Sequence, residues 1–246
     1  MAKEGRKGQD HSAPRRFPVH SDVREKSAQR RLADSVRHHP EVTDPRVVEA
    51  IAKVPRTLFV PLEQRMRALD DAALPIGDAQ TISAPHMVAI MSSVLRLAPG
   101  HRVLEVGTGS GYHAAVLAEM VGPAGRVFSV ETVPRLAERA RRDLDAAGYP
   151  EVVVVQGDGG LGLPGEAPFD RISIAAACPD IPDPLLAQLK VGGRMVVPYG
   201  QKDCTLITID RTEDGYTTTD HGRCLFVPLT GRYGAATAPA SGSTHP

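Results

Sequence analysis

The second half of the chain alternates short apolar runs with segments of helical periodicity, and this alternation limits the fold more than any other feature. Apolar runs of the length of a buried strand lie at 102–107, 125–131, 152–158, 169–177 and 194–200. Helical patterns lie between them at 111–121, 133–148 and 182–193. Strands that alternate with helices pair in parallel and carry helices on both faces of the sheet. The pattern therefore predicts a doubly wound α/β fold.

The C-terminal part predicts an antiparallel edge for this sheet. Residues 203–219 alternate apolar and polar side chains on both sides of Asp214-Gly215, a dipeptide typical of a hairpin turn. Residues 224–231 form a last strand-like run. The sheet is thus expected to be mostly parallel, with antiparallel strands at one side.

The first hundred residues predict a small helical region. Helical spacing occurs at 24–37, 44–54 and 85–97. In contrast, 56–61 and 70–83 contain too many Pro, Gly and Asp residues for regular elements.

Charge and apolar content exclude several classes of protein. The chain has 29 Lys and Arg against 29 Asp and Glu, so it has no net field that attracts nucleic acid or anionic lipid. Residues 1–16 contain five basic and two acidic side chains, and we expect a disordered arm over 1–23 and a disordered tail over 233–246. No signal segment or membrane span is evident, which favours a cytoplasmic protein. We expect a monomer that binds neither nucleic acid nor membrane.

Cysteine and histidine patterns do not indicate a metal site. Cys178, Cys204 and Cys224 are widely spaced and have no neighbouring histidine cluster. They are expected to be reduced side chains of the core.

A glycine-rich turn indicates a nucleoside ligand. Gly107-Thr108-Gly109-Ser110-Gly111 follows the first predicted strand and begins a helix, a context in which backbone N–H groups come close to a ligand. Glu131 ends the second predicted strand, twenty residues after Gly111, where a carboxylate can accept hydrogen bonds from both hydroxyls of a ribose.

The spacing of this turn favours S-adenosylmethionine over a dinucleotide. The dinucleotide fingerprint requires a small residue where this chain has Tyr112. A turn preceded by an acid, here Glu105, suits a ligand with a cationic amino-acid end and no phosphate. Asp158, after the third predicted strand, either accepts from the adenine amine or caps the next segment.

Several segments together resemble the protein-L-isoaspartate O-methyltransferases. The similar segments are 54–61, 73–91, 103–120, 157–200 and 226–231, in order and at matching separations within 28–232. The resemblance implies a Rossmann-like, adenosylmethionine-dependent methyltransferase with a seven-stranded sheet. It divides 24–232 into N-terminal helices and a substrate clasp (24–97) and a cofactor-binding sheet (98–232).

The resemblance also implies an activity and a set of site residues. The reaction is methyl transfer to the α-carboxylate of L-isoaspartyl residues in damaged proteins, which starts repair through a succinimide and leaves S-adenosylhomocysteine. Ser83 would be catalytic, and the substrate side would consist of Gln80, Thr81, Ile82 and His86. The cofactor side would consist of Glu105, Gly107, Thr108, Gly109, Gly111, Glu131, Asp158, Gly159 and Thr230.

To catalyse such a reaction, the enzyme has only to position the two reactants. A carboxylate is ionised at neutral pH and needs no general base, so it has only to be held in line with the methyl group. Gln80, Thr81 and Ser83 can hold it, together with backbone N–H groups at the helix that starts at Pro85. Ser83 suits a helix cap equally well, and His86 suits either a surface position or a substrate contact.

Other functions on the same scaffold are alternatives to isoaspartyl methyl transfer. One is a peptide-tailoring O-methyltransferase that esterifies Asp in a specific precursor, and a second is a nucleoside-binding scaffold without activity. A nucleic-acid methyltransferase is disfavoured because "AAACPD" (175–180) lacks the residues that clasp a flipped base.

Overall fold

The core of the molecule is a sheet whose central strands are apolar on both faces. The computed structural model describes residues 23–201 and 203–234. Its helices are α1 (Val23–Val36), α2 (Pro45–Lys53), α3 (Pro85–Val94), α4 (Tyr112–Val121), α5 (Pro134–Ala147) and α6 (Asp183–Gln188). Its strands are β1 (Leu74–Gly77), β2 (Gln80–Ile82), β3 (Arg102–Val106), β4 (Arg126–Glu131), β5 (Val153–Gln156), β6 (Phe169–Ile174), β7 (Leu189–Tyr199), β8 (Cys204–Thr212) and β9 (Gly215–Cys224).

Seven strands form the main sheet, in the order β5-β4-β3-β6-β7-β8-β9. The first five pair in parallel, whereas β8 and β9 are antiparallel to their neighbours. The predicted fold class is thereby confirmed, including the antiparallel edge. The strand order reverses at β3, and β4 and β6 therefore flank β3, whose carboxyl end is where ligands bind in sheets of this kind.

Successive residues of the central strands pack into two separate apolar layers. Val103 and Val127 face a core that α1 to α5 cover, and Leu104 and Phe128 face the other core. The short α6 and irregular segments, among them the one that contains Leu229, cover this second face. The period of two along each strand accounts for both layers.

The predicted helix over 182–193 is wrong in its second half. The helix ends at Gln188, and β7 begins at Leu189, five residues before the predicted strand. Leu189 is fully buried and pairs with Phe169 of β6, and this pairing makes the segment from Leu189 onward a strand. Helical periodicity of apolar residues did not distinguish this segment from a buried strand.

Two further segments differ from their predicted states. Residues 70–83, expected to be irregular, contain the β1–β2 hairpin, whose turn residues Asp78 and Ala79 have φ of 51° and 56°. Positive φ at both central residues is the geometry that closes a two-residue hairpin. Of the strand-like run 224–231, Cys224 ends β9, and the rest forms an isolated bridge, Pro228 with Ala177.

The described residues do not cover the predicted arm and tail in full. The expected arm falls almost wholly outside the described residues, as does the tail from residue 235 onward. Tyr233, which was assigned to the tail, instead packs against the second apolar core. None of the described helices is long and apolar enough to cross a membrane. The three cysteines are buried and unpaired.

Candidate active site

A cavity of about 780 Å³ lies at the carboxyl ends of β3, β4 and β6. This volume is counted to the open mouth of the cavity. Ten of the predicted site residues line it, namely Gln80, Thr81, Ile82, Ser83, Gly107, Thr108, Gly109, Glu131, Gly159 and Thr230. The structure thus brings the glycine turn, the end of β4, the clasp and the closing segment 227–230 to one place.

Four predicted residues lie outside the lining of this cavity. Glu105 is fully buried below the turn, and Gly111 packs against α5, where an added Cβ would lie 3.1 Å from Leu144 Cγ. Asp158 accepts hydrogen bonds from the backbone N–H groups of Gly160 (2.9 Å) and Arg232 (2.8 Å). The capping alternative therefore describes Asp158 in this structure, and the carboxylate ties the closing segment to the end of β5.

His86 lies at a second, outer cavity rather than the first. Its Nδ1 and its backbone nitrogen are each 2.9 Å from Asp71 Oδ1. Both side chains are about two-fifths exposed, at 39% and 40%. The side chain is therefore a half-exposed partner of Asp71 at the start of α3.

Four of the five N–H groups of the glycine turn are bonded within the protein, contrary to the sequence-based expectation. Gly107 and Thr108 both donate to Val130 O, and Gly109 donates to Glu131 Oε2 at 2.7 Å. Gly111 donates to Thr108 O. Because these donors are occupied within the protein, the turn is not a phosphate cradle. Its glycines allow positive φ and close approach, as at Gly109, where an added Cβ would lie 3.6 Å from Ile76.

Glu131 is held rigidly at the rim of the cavity. Its Oε2 accepts from Gly109 N, and its Oε1 accepts from Val133 N at 2.9 Å. The residue is 5% exposed, yet it lines the cavity. A carboxylate oxygen can accept more than one hydrogen bond, so capacity for two ribose hydroxyls is retained.

A buried polar row runs below the turn across the three central strands. Glu105 lies between Ser129 and Ser173 in the strand register, and Ser129 Oγ donates to Glu105 Oε2. Thr108 Oγ1, which lines the cavity, is 2.6 Å from Ser129 Oγ. Glu105 Oε1 is 3.3 Å from His113 Nδ1 but has no hydrogen bond of good geometry within the described residues.

The clasp, residues 80–83, carries polar side chains that make no hydrogen bond within the described residues. Within the described residues, no hydrogen bond involves the side chains of Gln80, Thr81 or Ser83. Ser83 is not the cap of α3, because the N-cap position is Ala84 and no side chain caps the helix. The hydroxyl of Ser83 therefore remains free toward the cavity that it lines.

The backbone donors at the start of α3 are occupied, which corrects the expectation that they help to hold a carboxylate. His86 N donates to Asp71, and the N–H groups of Met87 and Val88 donate to Ala84 O. Only the clasp side chains remain to bind an anion on this side.

The outer cavity shares a wall with the inner one. It encloses about 1250 Å³, counted to its open mouth. Thr81, Ser83, Ala175 and Val227 line both cavities. The outer cavity is also bounded by Arg223, Leu225 and Phe226, and Leu225 is 80% exposed. Ser83 thus borders the inner cavity on one side and the outer cavity on the other.

Several lining residues were not predicted from the sequence. They are Val88, Val106, Ser110, Tyr112, His113, Val130, Thr132, Ala175, Ala176, Val227, Pro228 and Leu229. Thr132, Ala175 and Ala176 follow the ends of β4 and β6. The rule that the carboxyl ends of parallel strands meet at one edge would have identified these three.

The donor set of the inner cavity fits S-adenosylmethionine. Its lining contains one carboxylate, Glu131, and neither lysine nor arginine. A pyrophosphate would lack a cationic partner here, and four of the five N–H groups of the turn are already bonded within the protein. A sulfonium nucleoside suits a cavity with a carboxylate at its rim and the buried Glu105, with its orphaned Oε1, below it.

Comparison with known proteins agrees with this geometry. Residues 27–234 match the family model for protein-L-isoaspartate(D-aspartate) O-methyltransferase. The chain is 53% identical over 204 residues to the protein-L-isoaspartate O-methyltransferase of Methanothrix thermoacetophila, covering 83% of this chain and 95% of that one. It is 52% identical over 210 residues to the enzyme of the same name from Methanopyrus kandleri, covering 84% and 93%.

Solved structures show the same fold. A protein-L-isoaspartate O-methyltransferase superposes with a TM-score of 0.76 at 28% identity, covering 84% of this chain and 67% of that one. A Plasmodium falciparum protein described under the same name, solved with S-adenosyl-L-homocysteine, has a TM-score of 0.72 at 21% identity and covers 82% and 98%. The chain belongs to the protein-L-isoaspartate(D-aspartate) O-methyltransferase family.

Proposed function

We propose that the chain transfers a methyl group from S-adenosylmethionine to the α-carboxylate of L-isoaspartyl residues in damaged proteins and peptides. Family membership confirms the predicted enzyme class. The single observation that carries the proposal is the set of unused polar side chains of Gln80, Thr81 and Ser83. All three line the inner cavity, and Thr81 and Ser83 also line the outer cavity.

The chain's own residues bind and orient the two reactants. S-adenosylmethionine, when bound, supplies an electrophilic methyl on a sulfonium. Glu131 orients its ribose at the inner cavity, and Thr108 faces the same space with its hydroxyl anchored to Ser129. Ser83 and Thr81 donate hydrogen bonds to the acceptor carboxylate from the shared wall. The lining of the inner cavity has no lysine or arginine, and Arg223 of the outer cavity bonds to Asp203, so the carboxylate keeps its nucleophilicity while it is held.

The remaining site residues take the following proposed roles. Gln80 and Ile82 flank the wall between the two cavities on its cofactor side, and His86 contacts the peptide in the outer cavity. Gly107, Gly109, Gly159 and Thr230 border the cofactor, whereas Glu105, Gly111 and Asp158 support the site from behind it. This division assigns 24–97 to acceptor binding and 98–232 to cofactor binding.

The molecular setting is part of the same proposal. The chain acts as a cytoplasmic monomer on exposed, flexible segments of many proteins, and it requires neither nucleic acid nor membrane. Its balanced charge and the open groove beside Ser83 support this setting.

A methyl-transfer assay on matched peptides tests the proposal. One peptide carries an L-isoaspartyl residue, and its twin carries ordinary aspartate at the same position. We expect base-labile methyl ester on the isoaspartyl peptide alone. Equal labelling of the aspartyl twin would support peptide tailoring, and cofactor binding without transfer would support a scaffold.

A further inference from the structure

Arg56 is the largest fully buried side chain within the described residues, although it carries a permanent charge. It belongs to the 3₁₀ turn Arg56–Phe59 between α2 and β1. No Asp or Glu within the described residues lies at ion-pair distance from it. Burial of an unpaired guanidinium is costly, so its partners must be of another kind.

The partners of Arg56 are backbone carbonyls from three separate segments. Nη1 donates to Ala68 O, and Nη2 donates to Ala72 O and to Ser83 O, both at 3.0 Å. Ala68 follows a second 3₁₀ turn (Leu62–Arg67), Ala72 precedes β1, and Ser83 follows β2. One side chain thereby joins the end of a 3₁₀ turn to the two chain segments that flank the β1–β2 hairpin.

Arg56 also contacts the cofactor side of the site. Its guanidinium carbon lies 5.6 Å from the centroid of the Tyr112 ring, within the range of a cation–π interaction. Tyr112 is the first residue of α4, lines the inner cavity and packs edge-on against Phe59, with ring centroids 5.7 Å apart. Arg56 therefore lies between the clasp and the helix that follows the glycine turn.

We infer that Arg56 is a positioning residue that orients Ser83 for the reaction by holding its carbonyl against α4. The inference rests on the proposed function. A bond to a carbonyl fixes the peptide plane after Ser83, and the same residue carries the hydroxyl on the wall between the two cavities. A small displacement of such a group lowers turnover strongly, whereas the cofactor contacts of Glu131 and the turn are untouched.

The planar fork of arginine is what this role requires. Lysine keeps the charge but presents three donors from one point, so it cannot reach the same carbonyls in the same geometry. Arg56→Lys therefore separates fork geometry from charge. Arg56→Gln removes the charge and keeps one amide donor group.

The experiment measures kcat and KM for an isoaspartyl peptide, the Kd of S-adenosylhomocysteine by calorimetry, and Tm. For Arg56→Lys we expect kcat to fall about fivefold, less than the loss on removal of the Ser83 hydroxyl itself, with Kd changed less than about twofold. Arg56→Gln should lose more turnover than Arg56→Lys. Turnover is divided by the fraction of molecules that bind S-adenosylhomocysteine, so that partial unfolding does not count as lost positioning.

Arg171→Lys is the matched control. Arg171 also donates to backbone carbonyls, those of Leu95 (2.7 Å), Arg96 (3.1 and 3.2 Å) and Asp170 (2.7 Å), but it lies near the start of β6, at the far end from the cavity. Its replacement should lower Tm and leave kcat unchanged.

The other outcomes are equally decisive. A lower Tm with unchanged kcat for Arg56→Lys, or a parallel loss of kcat and cofactor affinity, overturns the positioning role. Absence of transfer by the unsubstituted protein instead overturns the proposed function and removes the basis of the inference.

Discussion

The two sides of the inner cavity are built by different means. The cofactor side consists of strand ends and a glycine turn whose donors bond locally, such as Gly107 to Val130 O and Gly109 to Glu131. The acceptor side consists of 3₁₀ turns and a short hairpin, held at Ser83 by one buried arginine. Regular structure fixes the first side, and a few long-range bonds fix the second. Substitutions should therefore affect the two sides through different measurements.

Gly111→Ala should have the largest effect, about 3 kcal/mol of lost stability, because it adds φ strain to a clash. Gly111 has φ +88°, and an added Cβ would lie 3.1 Å from Leu144 Cγ. Gly148→Ala is the control, since its φ is +92° with no atom within 4 Å, and it should lose only about 1 kcal/mol. Urea unfolding measures both. Equal losses would show that packing behind the turn contributes nothing.

Glu131→Gln should weaken cofactor binding by about 2 kcal/mol, or about 30-fold in Kd, because hydrogen bonds to a charged acceptor are lost. Calorimetry with S-adenosylhomocysteine measures the change. Glu138→Gln, on the exposed face of α5, should bind as the unsubstituted protein does. An unchanged Kd for Glu131→Gln would mean that the cofactor side does not depend on this carboxylate.

Ser83→Ala should lower kcat for an isoaspartyl peptide about tenfold, or about 1.4 kcal/mol, because one hydrogen bond to the reacting carboxylate is lost. The Kd of S-adenosylhomocysteine should stay the same, which is the reverse of the Glu131→Gln result. Ser35→Ala, in α1, controls for the substitution itself. Loss of kcat and cofactor affinity together would erase the distinction between the two sides.

Ala79→Gly should have the smallest effect and the opposite sign, with about 0.5 kcal/mol of added stability. Alanine at φ 56° costs about 1–2 kcal/mol, and glycine relieves this at an entropic cost of about 0.5–1 kcal/mol. The shift in Tm measures it. A lower Tm would show that the hairpin is not under strain at its turn.

The cofactor side was largely predictable because its signals are local in the sequence. The turn, the acid below it and Glu131 follow directly from strand ends and spacing, and the structure places the turn and Glu131 at the cavity as expected. Two details were not accessible from spacing: the inward direction of the turn's N–H groups and the packing of Gly111 against α5.

The acceptor side was predictable only in part. The clasp residues were identified through family resemblance, but Arg56 was not, because carbonyls 12, 16 and 27 residues away leave no sequence signal. Asp71 at the start of α3 was missed for the same reason, since its partner His86 lies 15 residues further on. The β7 strand was misassigned over 189–193 because pairing with β6 outweighed the local helical pattern.

The partition that contains Thr81 and Ser83 has a consequence for the size of clients. Because Thr81 and Ser83 line both cavities, a short acidic branch that reaches them from the outer cavity can leave its polypeptide outside. An intact protein can then be methylated without entering the inner cavity. Only the loop that bears the isoaspartyl residue has to be flexible enough to reach Thr81 and Ser83.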